Sequence, residues 1–169
     1  GKIFIADNDE VSVSNLPRQI LYDTSQQGQS KVECAAARLT TMNPNVCIVP
    51  IARRFENSAF WDEIADGLDL VVDCTDNYAS RYEINDFCVR HKLPMVYAAI
   101  EGTNGQVAVL CHSAGRATYK TLFPKIPDTQ PRKEVLSTTP GVVGTVQATQ
   151  VRMLLAGFGK PLIDKLWSV

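Results

Sequence analysis

Asp76 lies in the stretch Val71-Val72-Asp73-Cys74-Thr75-Asp76-Asn77-Tyr78-Ala79-Ser80-Arg81, where an apolar run stops in a polar cluster and a helical pattern begins. In open α/β sheets ligands sit where the carboxyl end of a strand meets the following helix, so a carboxylate at that point is aimed into the crevice. The plain alternative is that Asp76 only caps the helix, because Asp and Asn are favoured N-cap residues. Asp7 ends an earlier apolar run, Lys2-Ile3-Phe4-Ile5-Ala6. In dinucleotide-type folds an acidic residue at such a position holds the ribose hydroxyls. The glycine fingerprint that precedes it there by about 20 residues is not in this chain. Arg18, in Ser14-Asn15-Leu16-Pro17-Arg18-Gln19, is either a solvated loop charge or a planar fork for phosphates. Lys31 opens the clearest helical pattern, where the helix dipole disfavours a cation. It is either an exposed lysine or, with the helix start, an anion site.

These residues need elements to position them. Lys2–Ala6 reads as a buried strand, and the segment from Glu10 to Gln29 as irregular, with Pro17 opposing regular helix. Ser30 to Met42 is a helix by the spacing of Val32, Ala35, Ala36, Leu39 and Met42. Ser30 and Glu33 make a capping box for it, and Asn43-Pro44 ends it. Strands follow at Val46 to Ile51 and Leu70 to Asp73, with a short helix from Ser58 to Asp66 between them. A helix runs from Asn77 to His91, and strands from Pro94 to Ile100 and Gln106 to Leu110. The stretch 111–141 is irregular and carries Pro124, Pro127, Pro131 and Pro140; loops of that length are often functional. A last helix spans Val142 to Gly157 and a last strand Leu162 to Val169. Strands alternating with helices indicate an α/β, Rossmann-like fold: a mostly parallel sheet flanked by helices with right-handed crossovers.

The chain of 169 residues has an ordinary apolar fraction and a formal net charge of -1. That is a length for one domain, 1–169, and a charge that gives no reason to expect nucleic acid or an anionic membrane as partner. No apolar run approaches the roughly 20 residues of a membrane span, no secretory signal is expected, and the cytoplasm is the expected compartment. The five cysteines (Cys34, Cys47, Cys74, Cys88 and Cys111) contain no C-x-x-C pair, and their odd number argues against a disulfide framework. Cys34 and Cys88 read as buried small apolar residues. The two histidines are isolated; His91 suits a helix C-terminus and His112 a loop.

Taken in order, Ile5-Ala6-Asp7-Asn8-Asp9, Ser14 to Gln19, Gly28-Gln29-Ser30-Lys31-Val32-Glu33, Asn43-Pro44 and Asp73-Cys74-Thr75-Asp76-Asn77 resemble the ThiF/MoeB/HesA family, prokaryotic relatives of ubiquitin-activating enzymes. Gly105-Gln106-Val107, Leu122-Phe123-Pro124 and Gly141-Val142-Val143-Gly144 continue the resemblance across nearly the whole chain. The resemblance implies binding of ATP with Mg²⁺ and adenylation of the C-terminal carboxylate of a ubiquitin-like sulfur carrier, of the ThiS/MoaD kind. By the same carry-over Asp7 holds the ribose, Asn15, Arg18 and Lys31 contact phosphates, and Asp76 holds magnesium and faces the α-phosphate. Fixed cations and Mg²⁺ would stabilise charge that builds there. The attacking carboxylate is already ionised, so no general base is needed. A homodimer is also implied.

Departures from the pattern shape the expectation. The glycine-rich loop with its strand and helix, normally just before Gly1, is not in the sequence, so truncation at the N-terminus is expected. The family's zinc cysteines before Leu-Phe-Pro are replaced by Thr118 and Thr121, whose hydroxyls do not hold Zn²⁺ as thiolates do, so zinc is not expected. Ser137 stands about where many members carry a cysteine, so a covalent thioester or persulfide step is not expected from that position. Pro17 replaces a residue that is more often polar. Two other readings compete: a non-catalytic module that binds a carrier or a second subunit, and a nicotinamide-dependent oxidoreductase with Asp7 on the ribose. The latter leaves Arg18, Lys31 and Asp76 without a shared role.

Overall fold

A computed structural model describes residues 1–56, 59–127 and 134–169. The expected helix start at Ser58, and Pro131, lie outside them. The chain divides into two compact units, Gly1–Phe55 and Glu56–Val169.

The first unit is a strand–helix–strand crossover. β1 (Lys2–Ala6) pairs in parallel with β2 (Cys47–Ile51), Ile3 opposite Ile48 and Ile5 opposite Pro50. Helix α1 (Lys31–Met42) joins them and buries Val32, Cys34 and Ala35 at helical spacing. The proline at position 50 sits in a two-stranded sheet, where a missing ladder N–H is tolerated. Between β1 and α1 the chain makes only single 3₁₀ turns, Val13–Asn15 and Thr24–Gln26. The expected capping box at Ser30 does not form: the Ser30 side chain makes no cap hydrogen bond. Instead the Lys31 N–H, the first of the helix, donates to the Asp9 carbonyl at 3.0 Å, so a partner remote in sequence satisfies it. The reciprocal box occurs at Asp23 and Gln26 instead.

The second unit is a four-stranded sheet in the order β3-β4-β5-β6. β3 (Val71–Asp73) and β4 (Met95–Glu101) are parallel, joined by α3 (Tyr78–His91); α2 (Ala59–Ala65) precedes them. β5 (Asn104–Leu110) and β6 (Leu166–Ser168) are antiparallel additions, a detail that a strand–helix alternation does not specify. The β4–β5 connection is a two-residue hairpin loop, and Gly102 takes φ 61 in it, a conformation open to glycine without steric penalty. This hairpin lengthens β5 to Asn104, two residues before the expected start.

β4 and β5 are buried on both faces, from Met95 to Ala98 and Val107 to Leu110. One face carries Tyr97, which meets Tyr119 of the short helix α4 (Tyr119–Leu122) at 5.3 Å between ring centroids. The other carries Ala98 and Val107, packed on Val143 of α5 (Thr139–Ala156), with Ile100, Val146, Leu162 and Trp167 around them. α5 starts three residues before the sequence-expected Val142, because Pro140 falls in its first turn, where a missing N–H breaks no helical bond. Gly157 closes it at φ 64. Cys34, Cys88 and Cys111 are buried. His91 closes α3, and its Nε2 lies 2.7 Å from Asp62 of α2, so its partner is a carboxylate.

Gly105 faces α5 so closely that an added Cβ would lie 2.2 Å from Val143 Cγ2. Neither the β-branched side chain nor the strand can yield easily. Gly105→Ala is expected to lower unfolding free energy by about 1–3 kcal/mol, as overpacked core sites do, read as a reduced urea midpoint with unchanged slope.

Candidate functional site

In the first unit, β1 delivers Asp7 and Asp9, and α1 delivers Lys31 to meet them. The Lys31 ammonium lies 3.1 Å from Asp9 Oδ2 and 3.9 Å from Asp7 Oδ2, and the lysine is almost fully buried. Burial excludes the reading of Lys31 as an exposed, idle charge: a buried ammonium needs a partner. Asp7 Oδ1 also accepts from the Asp9 backbone N–H at 2.8 Å, which fixes the carboxylate at the end of the strand. Tyr22 lies close enough that burial and the Asp7 charge raise its hydroxyl above the usual phenol range. Arg18 and Asn15 form a second pair, Nη2 donating to Asn15 Oδ1 at 2.9 Å and Nη1 to the Ser14 carbonyl at 3.2 Å. The guanidinium is thus oriented by its own 3₁₀ turn. Gln19 Oε1 is buried without a hydrogen-bond partner among the described residues. The sequence signals Asp9 and Gln19 only as members of the motifs Ile5–Asp9 and Ser14–Gln19, and carries no signal for Tyr22.

In the second unit, Asp76 sits in the turn after β3 and is exposed. The cap of α3 is Asn77, whose Oδ1 accepts from the Ser80 N–H at 2.9 Å. The alternative in which Asp76 serves as the cap is therefore replaced: the neighbouring side chain does that work. The turn is built around Asp73, fully buried at the end of β3. Its Oδ1 accepts from both the Thr75 N–H (2.9 Å) and the Thr75 hydroxyl (2.7 Å). Arg81, one turn into α3 and also buried, donates from Nη2 to the Thr75 carbonyl at 2.8 Å. Arg81 Nε lies 3.7 Å from Asp73 Oδ2, an ion pair beyond hydrogen-bond reach, and both atoms lack a hydrogen-bond partner among the described residues. Burial raises the Asp73 carboxyl above the usual range, and Arg81 opposes that shift. Cys74 is exposed as a residue, but its sulfur donates inward to Gln147 Oε1 at 3.8 Å, and desolvation there with the Asp73 charge pushes the thiol up to about 11. A thiol so poised is a poor nucleophile at neutral pH.

Thr118 and Thr121, which stand where the family's zinc cysteines are expected, cap α4 reciprocally. Each accepts the other's backbone N–H at 3.2 Å, and the two oxygens are 2.9 Å apart. These hydroxyls are committed to the helix start and do not suit Zn²⁺. Among the described residues no group of three or more His, Cys, Asp or Glu could hold a metal ion. No described helix is long and apolar enough to cross a membrane.

The ThiF family pattern matches residues 1–169. This chain belongs to the ThiF family. It is 37% identical over 169 residues to the molybdopterin-synthase adenylyltransferase of Escherichia coli, covering 98% of this chain and 68% of that protein. To the ThiS adenylyltransferase of the same organism it is 37% identical over 166 residues, covering 95% and 65%. To the SAMP-activating enzyme E1 of Haloferax volcanii it is 36% identical, covering 98% and 62%. The chain therefore spans about two thirds of the length of these curated relatives. Among solved structures, E. coli MccB with ATP superposes with a TM-score of 0.82 at 20% identity, over 100% of this chain and 52% of that one. PaaA gives 0.79 at 18%, over 100% and 53%. At these identities the likeness concerns the fold alone.

Two outcomes follow from the turn. Asn77→Ala removes the cap of α3 and is expected to cost about 1 kcal/mol, whereas Asp76→Asn is expected to stay within about 0.5 kcal/mol of the parent; urea titrations compare them. Because the folded state binds the Asp73 proton more tightly than the unfolded chain does, the stability from that proton is fully present below the ordinary carboxyl range. It is lost as pH rises through the raised folded value. Urea midpoints followed against pH should show that falling limb, and Asp73→Asn should flatten it.

Proposed function

We propose that this ThiF-family chain is the adenylating part of an enzyme that uses ATP to activate the C-terminal carboxylate of a ubiquitin-like sulfur-carrier protein. The observation that carries the reading is Asp76: an exposed carboxylate at the carboxyl end of a parallel strand, relieved of capping by Asn77. In the first unit the donor set suits a nucleotide. A carboxylate fixed at a strand end (Asp7) suits ribose hydroxyls, and an oriented guanidinium (Arg18) with its amide neighbour Asn15 and the Lys31 ammonium suit phosphates. The relatives' names, which specify sulfur carriers, support the substrate class.

In the proposed reaction a carboxylate oxygen of the carrier attacks the α-phosphorus, an acyl-adenylate forms, and pyrophosphate leaves. The nucleophile arrives ionised, so this chain supplies charge and position rather than a base. Arg18 and Lys31 offset the charge that develops on phosphate oxygens. Asp76 is the residue suited to Mg²⁺, which when bound would neutralise phosphate charge. A homodimeric, cytoplasmic protein completes the reading, following the resemblance and the composition. A second reading, a carrier-binding module without catalysis, draws on the Lys31 ammonium being already held by Asp9 and Asp7.

Carrier-dependent exchange of labelled pyrophosphate into ATP tests the proposal. Asp76→Asn and Arg18→Ala are each expected to lower that exchange about 10²–10³-fold, the scale for removing one preorganised charge-stabilising group. Carrier binding in the parent protein without any exchange would favour the module.

A further inference from the structure

The turn that presents Asp76 has no regular hydrogen-bond ladder of its own. Its backbone is instead held from two elements. From α3, Arg81 Nη2 takes the Thr75 carbonyl at 2.8 Å. From α5, the buried Gln147 amide nitrogen donates to the Asp73 carbonyl at 2.7 Å and to the Val96 carbonyl of β4 at 2.9 Å. Gln147 therefore ties the last residue of β3 to the neighbouring strand just before the chain turns. α5 buries two glutamines, Gln147 and Gln150, and each has partners, Gln150 accepting the Leu162 N–H at 2.9 Å; burying an amide without partners costs several kcal/mol on alkane-based scales.

Arg81 is equally constrained. Its guanidinium lies 5.9 Å from the ring centroids of both Tyr78 and Tyr97, within the range of cation–π attraction. Its ion pair with Asp73 misses hydrogen-bond distance, and such buried pairs add little net stability. What the arrangement does provide is a fixed direction for the Thr75 carbonyl, one residue from Asp76.

We propose that Arg81 and Gln147 are positioning residues that clamp the Asp73–Asn77 turn and so hold the Asp76 carboxylate in its presenting conformation. The consequence for catalysis rests on the adenylation reading above; the clamp itself does not. Misplacing a reacting group by about 1 Å can cost about 10²-fold in rate, so a clamp of this kind matters to turnover more than to nucleotide binding.

The experiment follows amide hydrogen exchange of the full chain by NMR together with pyrophosphate exchange, in Arg81→Lys and the volume-conserving Gln147→Met. The Thr75 amide, bonded to Asp73 Oδ1, should exchange about tenfold faster or more in each variant, while amides of the β4–β5 ladder change less than about twofold, as expected of a local opening. In the same variants kcat for pyrophosphate exchange should fall about 10–100-fold with the KM for ATP changed less than about threefold. Asp76→Asn should lose turnover with the Thr75 amide still protected. Unchanged Thr75 exchange in both variants, or acceleration equal across the ladder, overturns the clamp. A parent protein without pyrophosphate exchange, or an active Asp76→Asn, overturns the adenylation reading instead, and the amide rates still decide the clamp.

Discussion

A carboxylate with no exposure at all, Asp73, is the constraint around which the second unit is arranged. A charge or proton there cannot be solvated, so the chain must bring partners to it. Thr75 folds back to give two hydrogen bonds, which creates the turn. Arg81 comes from one turn into α3, which sets the approach of that helix. Tyr97 and Tyr78 then line the guanidinium, and Tyr97 packs in turn at a tilt against Tyr119. Asn85 extends the same logic, accepting the Tyr119 N–H at 2.8 Å and anchoring α4 to α3. A polar residue at the strand end thus organises aromatic packing some distance from it.

The first unit shows the same economy with opposite sign. Its buried charge is the Lys31 ammonium, and its partners are the carboxylates at the end of β1. The bond from the Lys31 N–H to the Asp9 carbonyl replaces a side-chain cap, so the start of α1 is held by β1 rather than by Ser30. A cation in the first turn of a helix is disfavoured by the dipole; here two carboxylates offset that. Thr118 and Thr121 fix the start of α4 by hydrogen bonds alone, each hydroxyl accepting the other residue's backbone N–H.

Much of this was legible in the residues. The periodicity of Val32 and Ala35 specifies α1 because burial follows the local repeat, and the apolar runs at Ile3–Ala6 and Val71–Val72 specify strands; β1 is not the buried strand expected, since Ile3 is exposed and Phe4 and Ile5 are only half-buried. The polar cluster after Val72 marked the turn and placed Asp76 in it. Asn77 and Asp76 are equally good caps by type, however, and only the backbone geometry of the turn selected Asn77. Pro140 looked like a loop residue because its place in a first turn depends on where α5 begins.

What the sequence determined by itself was the order and type of most elements and the family, because these depend on near-neighbour periodicity and on motifs read in order; α4 (Tyr119–Leu122) falls in the stretch read as irregular, its single turn being too short to show a period. Tertiary structure alone decided that Lys31 is buried between Asp7 and Asp9, that β5 runs antiparallel to both its neighbours β4 and β6, and that Gln147, 74 residues from Asp73, holds its carbonyl. Those outcomes rest on contacts between residues far apart in the chain, where the cost of leaving a buried polar group unpaired selects the partner and no local pattern records the choice.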